Sequence, residues 1–177
     1  MKFDFLAFKR NPDNCFIKLD LPLIVIFNMT ISIRPAKKND IPLVLGLLYE
    51  LGRPKPQKDL DLDLFRTFVK KQISDSDTTI LVAESNDVTV VGMVSVIFLS
   101  RLNQIQYEMY IPELIVTEKY RNQGIGTSLI NTCISLAKEK NCHKIRLESG
   151  IQRKEAHKFY EKLGFESKSL SFTKNLD

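Results

Sequence analysis

Tryptophan is absent from this 177-residue chain, glycine occurs seven times, cysteine three times and histidine twice. Each scarcity closes a class of function. Cys15, Cys133 and Cys142 are odd in number and form no CxxC pair, so neither a disulfide framework nor a zinc site is expected. With only His143 and His157 available, a metal centre would have to be built from a carboxylate cluster, and the sequence shows none. No metal is therefore expected, and a reducing, cytoplasmic setting is the simplest one for the thiols. The apolar run LPLIVIF at 21–27 is much too short to span a bilayer. Acidic residues precede it and no small-residue cleavage site follows, so neither a signal peptide nor a membrane partner is expected. The net charge of +5 is mild and spread along the chain. Without a run of like charges or a basic–aromatic ladder, a nucleic-acid partner is not expected either.

What is present fits one globular domain: 44% apolar and 27% charged residues over a length rarely sufficient for two cores. Residues 1–28 stand apart. Met29-Thr30 directly precedes a strand-like run, so Met29 is read as the natural start, or residues 1–28 as a loosely attached extension to a domain over 29–177.

From residue 31 the pattern is regular. Ile31-Ser32-Ile33-Arg34 alternates as a strand does and is closed by Pro35. Asn39 is the expected N-cap of a helix carrying Ile41, Val44, Leu45, Leu47 and Leu48, which stops near Gly52. A second helix is expected over about 60–73, and strands over 79–84, 88–99 and 106–116, with a hairpin turn at Asn86-Asp87. Pro112 interrupts the third strand, which demands a bulge or a missing ladder bond there. A helix over 126–140, a strand over 144–148, a helix over 153–162 ending at Gly164 and a final strand over 165–174 complete the chain. The order βααβββαβαβ predicts a single α/β (α+β) domain with a mixed, mostly antiparallel sheet that turns parallel near its end.

Chemistry concentrates in Arg121-Asn122-Gln123-Gly124-Ile125-Gly126-Thr127, where a strand passes through a glycine-bearing turn into a long helix. The first turn of a helix leaves backbone amides unpartnered and partly positive. Glycines let a bulky anion approach them, and Arg121 adds a charged rim. The plainer alternative is a tight strand-to-helix connection. No GxxxxGK[ST] or GxGxxG is present, which argues against ATP and NAD.

This segment resembles the Arg/Gln-x-x-Gly-x-Gly/Ala signature of the GNAT-type N-acetyltransferase superfamily. Two further stretches resemble the same superfamily in the same order, Glu113-Leu114-Ile115-Val116 and AHKFYEKLGF at 156–165. The resemblance covers about residues 31–177. It implies a GNAT-like fold and acetyl-CoA as co-substrate, with the pyrophosphate on the amides of residues 123–126 and their neighbours. It also implies direct acyl transfer to a primary amine of a small molecule or protein.

The resemblance implies, further, that Leu114, Ile115 and Val116 line a slot where the strand splays from its neighbour. Ser149 stands where the superfamily often has an asparagine touching the pantetheine arm. Tyr160 takes the position of the usual general acid, or else is a tyrosine packed beside Phe159. Glu113 is the candidate base, against a merely solvated or salt-bridged carboxylate, with Glu108 the second choice. Relatives often carry the carboxylate one position earlier, where this chain has Pro112, so a bulge would be needed to restore its aim. His157 faces either the substrate or solvent. The superfamily often dimerises through its final strands, which makes a homodimer an expectation. A second reading is a CoA-binding regulatory module without catalysis.

Overall fold

Alternating strands and amphipathic helices build one five-stranded sheet with helices on both faces. The computed structural model describes residues 30–86 and 89–176. The expectations for residues 1–28 and for Asp87 of the hairpin turn lie outside the described residues. The elements are β1 (Ile31–Pro35), α1 (Ile41–Leu51), α2 (Asp59–Ser74), β2 (Thr78–Ser85), β3 (Val90–Arg101), β4 (Gln104–Val116), α3 (Ile125–Glu139), β5 (Cys142–Leu147) and α4 (Lys154–Lys162). Strands β1 to β4 pair antiparallel in chain order, and β5 joins β4 in parallel after the α3 crossover. This is the mixed, mostly antiparallel sheet that the element order predicts.

The period of two along β2 and β3 divides the core. Ile80, Val82 and Met93 face α1 and α2, together with Val44, Leu45 and Val69. Leu81, Ala83, Val94 and Val96 face α3 on the other side, against Leu129, Ile130 and Cys133. Burial of these side chains, about 1.5–3 kcal/mol for each of the Val, Leu, Ile and Met residues, fixes the register, since a one-residue slip would turn the strand side chains to the wrong face.

Two expectations need correction. Asn39 is not the cap of α1: a single 3-10 turn, Lys38–Asp40, precedes it, and Asp40 takes the cap position. Arg34 anchors this corner: its guanidinium donates to Asp40 (Nη1 to Oδ2, 2.7 Å) and to Glu84. The same carboxylate accepts from the Lys37 amide at 2.7 Å. The final strand over 165–174 does not form either, and residues 165–176 run without regular structure. Within 165–174 the alternating apolar positions are Leu170 and Phe172, and both stay exposed, at 84% and 91%. Two half-used side chains cannot offset the cost of ordering a strand. The outer edge of β5 accordingly has no strand partner among the described residues.

At the far end of β4, Glu108 is 1% exposed and receives Arg146 (2.7 Å), Lys144 (3.1 Å) and Arg101 (3.1 Å). Burial alone would raise its pKa, but the hydrogen bonds from these cations outweigh it and hold the carboxyl down at about 2. Replacing Glu108 by Gln is expected to lower unfolding stability at neutral pH by about 2 kcal/mol in urea titrations. A carboxyl depressed from 4.5 to about 2 stabilises fully above the upper value and loses that contribution as pH falls to the lower one. The gap between wild type and Glu108→Gln should therefore close across that window.

Candidate active site

The turn between β4 and α3 has the backbone an anion needs. Asn122 (φ 60°) and Gly124 (φ 80°) are both left-handed, so the chain doubles back before entering the helix. A side chain at Gly124 would meet only open space, so it is the backbone angle that calls for glycine there. The amide of Ser128 donates to the Gly124 carbonyl at 3.0 Å, closing the first helical ring of α3. The amides of Ile125, Gly126 and Thr127 precede that ring and have no intrahelical acceptor. The Ile125 side chain is buried in the core, so only its backbone faces the mouth. Asn122 and Gln123 are exposed, and Gln123 Nε2 donates to the Lys119 carbonyl at 3.3 Å.

Beside the mouth, β4 parts from β5. The parallel ladder ends at Ile111↔Leu147, while pairing of β4 with β3 continues to Val116. Between Ser95↔Glu113 and Ile97↔Tyr110, β3 advances two residues and β4 advances three, so β4 bulges at 111–112. Pro112 sits in that bulge. The Thr117 amide donates to the Val91 carbonyl at 2.9 Å, which makes 91/117 a hydrogen-bonded pair. Antiparallel alternation then gives 93/115 and 95/113 the same character and turns the Leu114 and Val116 backbone groups away from β3. They face the slot that β5 has vacated. Arg121 reaches this edge too, with Nε on the Val116 carbonyl at 2.9 Å.

Helix α4 closes the other side. A β-carbon at Gly126 would lie 3.3 Å from Phe159 Cζ and 4.0 Å from Val116 Cγ2, so strand, helix mouth and α4 meet there. Tyr160 follows Phe159 and packs edge-on against Phe159 and Phe165, with ring centroids 5.2 and 5.7 Å away. Burial raises the pKa of its hydroxyl, with Arg153 opposing weakly. Ser149 lies half-buried in the irregular stretch between β5 and α4. His157 is tied locally, Nε2 donating to the Gly150 carbonyl at 3.0 Å.

Glu113 does not face the same way as Leu114. Its side chain lies on the α1/α2 face of the sheet, where Oε1 accepts from Arg53 Nη2 at 2.7 Å and Oε2 accepts from Ser95 Oγ. Tyr110 stands two pairs along β4 on that face, with the Arg146 guanidinium 4.5 Å above its ring. Arg53, Ser95, Tyr110 and Glu50 have no motif in the sequence and emerge only here. The thiols take no part: Cys133 is fully buried and its pKa is pushed up to about 12, and burial raises that of Cys142 as well. Among the described residues no cluster of three or more His, Cys, Asp or Glu is placed to hold a metal. No described helix is long and apolar enough to cross a membrane.

Residues 45–165 match the Acetyltransferase (GNAT) family. Aminoalkylphosphonate N-acetyltransferase of Salmonella typhimurium is 29% identical over 145 residues, 82% of this chain and 91% of that protein. Human N-alpha-acetyltransferase 30 is 46% identical over 56 residues, which is 32% of this chain and 16% of that protein. Among solved structures, a transcriptional regulator from Bacillus halodurans superposes with TM-score 0.71 at 27% identity, covering 83% of this chain and all of that one. Glucosamine-6-phosphate N-acetyltransferase from Arabidopsis thaliana gives TM-score 0.70 at 24% identity over 84% of this chain and 99% of that one, a likeness of fold alone.

Proposed function

The chain belongs to the GNAT acetyltransferase family and is an acyltransferase, and from that premise we propose that it moves the acetyl group of acetyl-CoA directly to a primary amine. The observation that carries this reading is the coincidence of two openings. The amides at the start of α3 lie beside the edge of β4 that β5 has left. A pyrophosphate needs the first and an extended pantetheine arm needs the second, so the residues present fit the coenzyme.

When bound, acetyl-CoA supplies an acyl group activated as a thioester. The chain supplies everything else. The Arg121 guanidinium and the amides of residues 123–126 and their neighbours hold the pyrophosphate, and Ser149 flanks the arm. The Leu114 and Val116 amides are fixed donors for negative charge developing on a carbonyl oxygen in the slot. Tyr160, like any tyrosine, carries its proton at neutral pH, and burial raises its pKa further; it gives that proton to the departing thiolate. Glu113 takes the proton that an ammonium must lose before it can attack. That carboxylate must first exchange its bonds to Arg53 and Ser95 for one to the amine or an intervening water.

The acceptor is a small-molecule or protein amine. An aminoalkylphosphonate and a free peptide N-terminus are the first classes to try, from the names of the Salmonella and human relatives. The purified chain should release free CoA thiol from acetyl-CoA at least about tenfold above hydrolysis with one or more primary amines of such a panel. Silence across the panel with acetyl-CoA still tightly bound would replace this reading with a non-catalytic CoA-binding module.

A further inference from the structure

Glu50, in the last turn of α1, makes three bonds to the coenzyme turn although it lies 67 to 71 residues away in sequence. Its carboxylate accepts from Thr117 Oγ1 at 2.7 Å, from the Glu118 amide at 2.9 Å and from Arg121 Nη2 at 3.2 Å. Thr117 and Glu118 open the short 3-10 turn that carries the chain from β4 toward α3. Arg121 is gripped twice, by Glu50 through Nη2 and by the Val116 carbonyl through Nε at 2.9 Å. The same end of α1 reaches the rest of the site. Arg53 Nη2 donates to the Pro112 carbonyl at 3.2 Å and to Glu113 at 2.7 Å, and Arg153, just before α4, donates to the Leu51 carbonyl at 3.1 Å.

We propose that Glu50 is a positioning residue for the coenzyme: it braces residues 117–121 and sets the Arg121 guanidinium before the pyrophosphate arrives. The proposal rests on the reading that this turn receives acetyl-CoA. Without the carboxylate, the turn and the long Arg121 side chain must be ordered at the moment of binding, and affinity bears that cost. Simple electrostatics predicts the opposite sign. A negative side chain near a pyrophosphate should repel it, and deleting that charge should tighten binding. In this turn the charge of Glu50 is already offset by Arg121 and by an otherwise unpartnered amide, so bracing wins. The direction of the change is therefore decisive.

The test uses the full chain, with acetyl-CoA as titrant and as varied substrate, for wild type, Glu50→Gln and Glu50→Ala. Thermal melts select the variants that keep the fold, and the near-isosteric Glu50→Gln guards against a failure of Glu50→Ala. Kd and KM for acetyl-CoA should rise about tenfold in Glu50→Gln. KM for an accepted amine should change less than threefold, and kcat at saturating coenzyme should fall by less than KM rises. In an Arg121→Gln background the same substitution should add little, because the two residues act as a unit. Equal or tighter binding in Glu50→Gln, or a loss confined to the amine KM, overturns the proposal. If wild type itself takes up no acetyl-CoA, the reading of the turn falls and the proposal with it. Wild-type binding matched by Glu50→Gln removes the proposal alone.

Discussion

Gly126→Glu is expected to abolish acetyl-CoA binding, raising Kd by more than about a hundredfold in a calorimetric titration. Two causes act together. The new carboxylate stands in the first turn of α3, among the amides of Ile125, Gly126 and Thr127 that would otherwise meet the pyrophosphate. Like charges brought together at an interface cost several kcal/mol, which alone accounts for a hundredfold or more. The side chain must also find room where a β-carbon lies 3.3 Å from Phe159 Cζ. Gly126→Ala separates the two causes. It asks only the far end of the Phe159 ring to yield by a few tenths of an ångström, so its Kd should rise no more than about threefold. An equal loss in both variants would mean that bulk, and not charge, governs this position.

Tyr160→Phe should lower kcat on the order of a hundredfold while leaving the melting temperature and the acetyl-CoA Kd nearly unchanged. General acid catalysis is worth roughly 10² to 10⁴, and the lower end applies because a thiolate is already a fair leaving group. Packing survives, since the contacts of the Tyr160 ring with Phe159 and Phe165 do not involve the hydroxyl. The pH profile supplies an independent check. Burial raises the tyrosine pKa above its ordinary value of 10.0, so the protonated form persists past that pH and the acid is lost only as pH climbs through the raised value. Wild-type kcat should therefore show no alkaline fall attributable to this group below about pH 10. Unchanged turnover in Tyr160→Phe would return the residue to a packing role.

The parts of the site legible in the sequence are those encoded within a few residues. Gly124 and Gly126 mark the turn because a left-handed backbone angle and a close approach each leave glycine as the residue of choice. Pro112 announced a defect in strand pairing because it has no amide to give, and the bulge at 111–112 is where that defect falls. The bonds across the fold were not legible. Nothing local to Glu50 points to Thr117 or Arg121, and nothing local to Arg53 points to Glu113, 60 residues on. Such partners are set by how α1 lies over the sheet, not by any spacing along the chain. The same holds for Arg34, whose bonds to Asp40 and Glu84 tie the start of α1 to β2. The missing last strand fails for the reverse reason. Its alternation is correct locally, but Leu170 and Phe172 find nothing to bury against.

A crystal structure of the acetyl-CoA complex tests the central claim most directly. The pyrophosphate is predicted to lie within hydrogen-bond reach of the amides of residues 123–126 and their neighbours, with the thioester carbonyl beside the Leu114 and Val116 amides. A coenzyme lodged away from the mouth of α3, or with its acyl end outside the gap between β4 and β5, would contradict the account.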